Sequence, residues 1–359
     1  MKNIYFTPGP AELYFTVETH IKQAVKSQIL SVSHRSKLFQ SVYQECVENL
    51  KNLLDVPDDY HIFFTASATE VWERIIQNNV AKYSHHYVNG AFSKRFLLTS
   101  QELGREPSVE QAEEGERVKP EAANVPENAE LIAFTLNETS TGVTQPLAEI
   151  YAIAEAHADK LIAVDAVSIM PFPAIDYTKV DSVFFSVQKG FGLPAGLGVW
   201  ILSPRSVEKA QQLSDKGISI GSYHSIPSLL EKAQKNQTPE TPNVLNIYLL
   251  AKVSGDMLEK GMGKIRQECR YKSSLMYHTL EAHPLMSPFV KDQAIRSPSV
   301  IVAETIDSSD KILETLSRNR LVLGSGYGQY KHKHIRIANF PTHSKEQFEL
   351  LADKINEIK

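Results

Sequence analysis

The sequence predicts an α/β fold, with a large domain built on a mostly parallel sheet and a small α+β domain after it. Three observations lead there. Short, almost wholly apolar runs recur between amphipathic stretches, the pattern of strands covered on both faces. No internal repeat or long low-complexity stretch interrupts them. After about residue 245 the alternation gives way to long helical patterns.

The elements follow in order. Residues 60–65 (YHIFFT) are rich in aromatic and β-branched side chains and predict a strand. Small residues and hydroxyls at 66–69 then open a helix over 70–80. The stretch 99–128 carries many Glu and several Pro and reads as a solvated loop or short helix. Apolar strands are predicted at 131–136, 161–165, 182–186 and 198–202, with a helix over 146–157. Helical patterning covers 244–282, followed by a strand at 299–303, a helix at 311–318, a strand at 334–338 and a closing helix at 344–358. The expected division is 12–245 for the large domain, with 246–359 and the N-terminal 1–11 forming the small one.

Composition narrows the function classes. The chain has 359 residues, 42% of them hydrophobic, enough for a sizeable core. Lys and Arg number 38 against 42 Asp and Glu, and a net charge of −4 gives no electrostatic reason to expect nucleic acid or an anionic membrane. The longest apolar runs fall far short of a membrane span. Pro8 and Pro10 break the N-terminal stretch before it reaches signal-peptide length. Two cysteines, Cys46 and Cys269, make neither a disulfide framework nor a zinc site, so no metal is expected. A soluble cytoplasmic protein acting on small molecules remains.

The chemistry concentrates at two strand ends. The strand 182–186 runs into Val-Gln-Lys-Gly-Phe-Gly, which presents Lys189 in a glycine-thinned turn. The strand 161–165 ends in Asp165. Open α/β sheets bind ligands at the carboxyl ends of their strands. A lysine alone in such a turn reads most simply as a surface residue. An amine and a carboxylate on separate strand tips suit pyridoxal phosphate, which needs a lysine for its Schiff base and an acid for its ring nitrogen. Lys189, released by substrate, would then move the proton from Cα. The coenzyme's phosphate needs backbone amides at a helix N-terminus, and Ala68 and Thr69 stand at one, although an ordinary helix cap would look the same.

With these residues in view, the chain resembles the class V aminotransferases of the aspartate-aminotransferase fold (PLP fold type I), most closely the phosphoserine aminotransferases. The matches are spread along nearly the whole chain: SHRSKLF at 33–39, Asn137-Glu-Thr139 with Gly142-Val143, Asp165, Gln188-Lys189, Thr241-Pro242 and Arg336. The resemblance implies Lys189 as the Schiff-base lysine and Asp165 at the ring nitrogen. It puts Thr139 and Gln188 in hydrogen bonds to the coenzyme, with Phe92 stacked on its ring where the family has tryptophan. Thr241 would reach the phosphate of a neighbouring subunit's coenzyme, which implies a homodimer with shared sites. Arg336 would grip the substrate α-carboxylate as a bidentate partner. His34 and Arg35, also from the partner, would hold the phosphate of phosphoserine or the distal carboxylate of glutamate. The implied reaction converts phosphoserine and 2-oxoglutarate to 3-phosphohydroxypyruvate and glutamate, reversibly, in serine biosynthesis.

Plainer readings exist for several of these residues. Arg336 alternates with Ile335 and Ile337 as an outward strand residue would, His34 and Arg35 could be a polar cluster at a helix start, and Thr139 could close a turn. The sequence also departs from the family. Gln329 and Tyr330 stand where a His-Arg pair is expected, with Lys331 and Lys333 the cations nearby, Thr69 replaces an Arg or Ser, and Glu240 replaces an asparagine. The alternatives are a serine or alanine aminotransferase using pyruvate or glyoxylate, and a non-catalytic binding protein on the same scaffold. A cysteine desulfurase is disfavoured because both cysteines fall in helical patterns. A dehydrogenase is disfavoured because no Gly-x-Gly-x-x-Gly joins a strand to a helix.

Overall fold

The computed structural model describes residues 2–359, so Met1 of the expected 1–11 segment lies outside the described residues. In chain order the elements are β1 (Ile4–Phe6), α1 (Val17–Lys26), α2 (Lys37–Leu54), β2 (His61–Thr65), α3 (Ala68–Asn79), β3 (Tyr83–Val88), α4 (Ala91–Glu102) and β4 (Glu106–Gln111). Next come β5 (Leu131–Thr135), β6 (Asn137–Glu138), β7 (Val143–Thr144), α5 (Leu147–Ala156), β8 (Leu161–Asp165), β9 (Ser182–Ser186), β10 (Gly198–Leu202), α6 (Pro204–Asp215) and α7 (Ile226–Ala233). The chain continues with α8 (Val244–Lys260), α9 (Met262–Ala282), β11 (Met286–Pro288), β12 (Val300–Thr305), α10 (Ser309–Arg318), β13 (Leu321–Ser325), β14 (His334–Ala338) and α11 (Lys345–Asn356).

Seven strands form the larger sheet in the order β2-β10-β9-β8-β5-β3-β4. All neighbours are parallel except β10, which runs antiparallel to both β2 and β9. Side-chain alternation divides the burial between two faces. Val183 and Phe185 of β9 join a core with Val42 and Leu50 of α2 and Leu249 and Val253 of α8. Phe184, between them, faces Val71 and Ile75 of α3 and Phe96 of α4. Each such side chain contributes about 1.5–3 kcal/mol by leaving water, which is why these strands read as continuous apolar runs.

The second sheet has the order β1-β13-β14-β12-β11, with β1 parallel to β13 and its other pairs antiparallel. Its core joins Ile301, Ile335 and Ile337 to Met276 of α9, Leu316 of α10 and Phe348 of α11. Thus Ile4–Phe6, from the start of the chain, completes a sheet made from its last quarter.

The structure corrects the expected loop at 99–128. That stretch holds the end of α4 and the strand β4, paired in parallel with β3 at the sheet edge. An edge strand faces water, so Glu106, Glu110 and Gln111 suit it and hide it from an apolar-run reading. The helical stretch 244–282 is two helices, because Gly261 takes a positive φ of 84° between α8 and α9. Among the described residues no helix is long and apolar enough to cross a membrane.

Candidate active site

The adjacent parallel strands β8 and β9 bring Asp165 and Lys189 to the same end of the sheet. Asp165 is the last residue of β8 and stands level with Phe184 of β9. β9 ends two residues further on, and Lys189 follows in the turn. Both side chains line one cavity of about 140 Å³, together with Ala68, Thr69, Phe92, Thr139 and Gln188. Seven of the sequence-predicted residues therefore converge.

Asp165 is held from two sides. The Val167 amide donates to Oδ1 at 3.0 Å, and the Trp72 indole Nε1 donates to Oδ2 at 2.9 Å. Burial outweighs these bonds and pushes the carboxyl up to about 7, with the nearby Glu138 charge adding to the rise and Lys189 opposing it. The carboxylate is short of positive charge. A protonated ring nitrogen facing it would restore the anion.

Lys189 has the complementary problem. Burial, joined by the Arg336 charge and opposed by Asp165, lowers its amine to about 8. Its Nζ donates to the Pro8 carbonyl, part of the 7–10 turn laid across it. Gly9, with φ at 125°, lies so close that a Cβ there would overlap the lysine side chain. Gly190 is pinned as tightly, since a Cβ would strike the Met170 carbonyl. The Ala11 amide donates to the Gln188 carbonyl at 3.2 Å and fixes the covering segment.

The residues fit pyridoxal phosphate on the structure's own terms. Gln188 Oε1 and Thr135 Oγ1 are buried without hydrogen-bond partners, and both residues line the cavity. Such orphaned groups call for a polar ligand. At the cavity's other end α3 begins: the Ser67 hydroxyl accepts from the Glu70 amide at 3.2 Å and caps the helix. The Ala68 amide donates to Ser186 Oγ at 3.0 Å. Among the described residues nothing accepts from the Thr69 amide. That helix start faces the cavity with its positive end.

Phe92 sits in the first turn of α4, and the buried Glu138 carboxylate fixes that turn. Glu138 accepts from the Phe92 amide at 3.1 Å, the Ser93 amide at 3.0 Å, the Ser93 hydroxyl at 3.1 Å and the Ser140 hydroxyl at 2.6 Å. Thr139 follows directly. Arg336 points inward from β14: Nε donates to the Ser325 carbonyl at 2.8 Å and Nη1 to the Thr139 carbonyl at 3.4 Å. Its guanidinium lies 5.5 Å from the Tyr327 ring, which in turn packs 5.1 Å from Phe92. Arg336 is half-buried beside the cavity, not an outward strand residue.

Three predicted residues lie elsewhere. His34, Arg35 and Thr241 do not line the cavity, yet they sit together. Thr241 Oγ1 is 3.5 Å from His34 Nδ1, and Arg35 donates to Gln237 Oε1 at 2.6 Å and to the Pro239 carbonyl at 3.4 Å. Gln329 donates to Glu114 at 3.0 Å, and the same carboxylate raises the Tyr330 phenol, so both residues face an acid. Lys331 and Lys333 are exposed and apart from the cavity. Cys46 and Cys269 are buried in helices, and burial pushes both thiols up, away from reactivity.

Sequence reading missed Trp72, Pro8, Gly9, Glu138 and Tyr327 as parts of the site. Each lay near a visible signal: Pro8 and Gly9 in Thr7-Pro-Gly-Pro10, Glu138 in the Asn137-Glu-Thr139 motif, Tyr327 in the Gly-Tyr-Gly stretch, and Trp72 as an indole on the buried face of the helix that follows the phosphate turn.

An α/β scaffold that faces an amine and an acid across one cavity defines a coenzyme-dependent enzyme of the aminotransferase type. Comparison with known proteins sharpens this. The family model for class V aminotransferases matches residues 10–328, and the chain belongs to that family. It is 51% identical to a structure described as a phosphoserine aminotransferase from Cytophaga hutchinsonii, with a TM-score of 0.96 over 99% of this chain and 98% of that one. A phosphoserine aminotransferase of Rhodococcus opacus is 29% identical over 344 residues, 93% of this chain and 89% of its own. An alanine–glyoxylate aminotransferase from Nostoc shares the fold, with a TM-score of 0.80 at 20% identity over 99% of this chain and 95% of that one.

Proposed function

We propose that this chain is a pyridoxal-phosphate-dependent transaminase that interconverts phosphoserine plus 2-oxoglutarate and 3-phosphohydroxypyruvate plus glutamate. The observation that carries the reading is the shared cavity of Lys189 and Asp165. The near-full-length relative at 51% identity supports phosphoserine as the amino donor.

When bound, the coenzyme supplies a ring that takes up the electron pair released at the substrate Cα. The chain's residues do the rest. Asp165, held by Trp72 and Val167, keeps the ring nitrogen protonated. Lys189 anchors the coenzyme covalently and, as the free neutral amine, takes the proton from Cα. Phe92 would offer its ring face to the coenzyme and Thr139 a hydrogen bond, while Gln188 and the amides of the Ala68–Thr69 helix start would hold its phosphate side. Arg336 binds the α-carboxylate through its planar fork.

The same proposal makes the protein a homodimer. His34, Arg35 and Thr241 form one surface cluster away from their own cavity, as groups serving a neighbour would. In this reading 12–245 carries the coenzyme, and 246–359 with 1–11 supplies the substrate arginine. A cytoplasmic location agrees with two free, buried cysteines.

Incubating the purified protein with phosphoserine and 2-oxoglutarate should yield 3-phosphohydroxypyruvate and glutamate. The engagement of Gln329 and Tyr330 by Glu114 favours a second reading, in which unphosphorylated serine or alanine is the donor to pyruvate or glyoxylate. Turnover of those donors with none of phosphoserine would establish it.

A further inference from the structure

A buried histidine ties together two segments that the proposed function assigns to coenzyme phosphate. His224, 3% exposed, bonds Glu70 through Nδ1 and Glu240 through Nε2, the latter at 2.9 Å. Carboxylates in these ion pairs only accept, so both ring nitrogens donate and the ring is an imidazolium. Burial disfavours that charge, but the two carboxylate bonds outweigh it and raise the ring to about 9.

Both carboxylates occupy telling places. Glu70 follows Thr69 in the first turn of α3, and its Oε2 accepts from the Ala66 amide at 2.9 Å. A carboxylate there competes with phosphate for the positive end of the helix and repels it. The His224 cation, with Arg74 Nε at 3.2 Å from Glu70, removes that repulsion. Glu240 immediately precedes Thr241, and its carbonyl accepts from the Thr238 hydroxyl at 2.7 Å. The loop is thus locked to α3 through one ring. The Tyr223 ring packs 4.1 Å from it.

We infer that His224 is a positioning residue for coenzyme phosphate: by bridging Glu70 and Glu240 it neutralises the acid beside the Thr69 amide of its own site and fixes the loop that presents Thr241 to the neighbouring subunit's site. The inference rests on the pyridoxal-phosphate reading above. It also explains why glutamate is tolerated at position 240, since its charge has a dedicated buried partner.

The test compares pyridoxine 5′-phosphate with pyridoxine on the apo-protein. Neither has an aldehyde, so Lys189 chemistry does not enter. In H224Q, affinity for pyridoxine 5′-phosphate should fall at least about tenfold, the size of one lost charge-assisted contact, while affinity for pyridoxine stays within about twofold. The double variant H224Q/E70Q, which removes the stranded acid beside the cradle, should recover part of the loss. Equal weakening of both ligands would make His224 merely structural and overturn the inference, as would no weakening. If H224Q does not fold, E240A serves in its place: it removes the acceptor that ties the loop to His224 while keeping His224 on Glu70, and should again weaken the phosphorylated ligand selectively. If the unmutated protein binds neither ligand and forms no borohydride-trapped adduct with pyridoxal phosphate at Lys189, the functional reading itself has failed.

Discussion

Two lysines, Lys189 and Lys272, are both withdrawn from water, and the contrast between them separates chemistry from architecture. Lys272 on α9 is 1% exposed, and its Nζ donates to the carbonyls of Phe340 at 2.9 Å and His343 at 2.7 Å, over the Phe348 ring. It pins α9 to the segment before α11. Lys189 bonds one carbonyl, that of Pro8, and turns its other side to a cavity shared with an acid. Burial lowers both amines. Desolvation alone therefore does not mark a reactive lysine; an open, polar approach to the nitrogen does.

Substitutions should pull the two apart. Lys189→Ala is expected to lower turnover by about 10⁴-fold, the upper end of what a positioned base contributes, because the proton at Cα loses its base. Its thermal midpoint should hold or rise, which circular dichroism would show alongside the kinetics. Asp165→Asn should lower kcat by about 10²–10³-fold, since the ring nitrogen loses its counter-charge. A loss under tenfold there would mean that the carboxylate is not at the ring nitrogen. Arg336→Lys should raise KM about tenfold or more for every amino donor, because all donors share the group it grips. An effect confined to one donor would instead make Arg336 a reader of side chains.

The amines also predict a pH profile. A lysine lowered from 10.5 to about 8 is protonated below that value and neutral above it. Condensation of the apo-protein with pyridoxal phosphate should accelerate about tenfold per pH unit up to about 8 and then level. Lys272 should stay unmodified throughout, as peptide mapping after borohydride reduction would reveal. The smallest effect on chemistry is expected from Lys272→Met. Two buried carbonyls lose their donor, so stability to denaturant should fall by about 1–3 kcal/mol while kcat of the folded enzyme is unchanged.

Much of this contrast was legible in the sequence, for identifiable reasons. Strands β5, β8, β9 and β10 are covered on both faces and so betray themselves as apolar runs. Asp165 and Lys189 stand at strand ends, where polarity after an apolar run is conspicuous. The strand β3 was hidden because two polar residues, His85 and His86, lie buried in it, with His85 Nδ1 bonded to Ser108 and His86 Nε2 to Ser84. The two acids that serve the site, Glu138 and Glu70, look like surface residues until the structure supplies their donors. Trp72 reaches Asp165 across 93 positions, and no periodicity records such a bond. Pattern reveals what a residue's own neighbours dictate, whereas long-range polar partners emerge only from the fold.

The placement of β1 bears on how the protein is made. The residues that cover Lys189 are tethered after the turn by the Ala11–Gln188 bond and before it by Ile4–Phe6, and that strand finds its register against Leu321–Leu323. A ribosome finishes the lysine and aspartate long before it releases the segment that seats their cover. Nascent chains halted short of residue 321 should therefore leave the stretch around Pro8 open to protease, and the reaction centre becomes complete only as the final quarter of the polypeptide emerges.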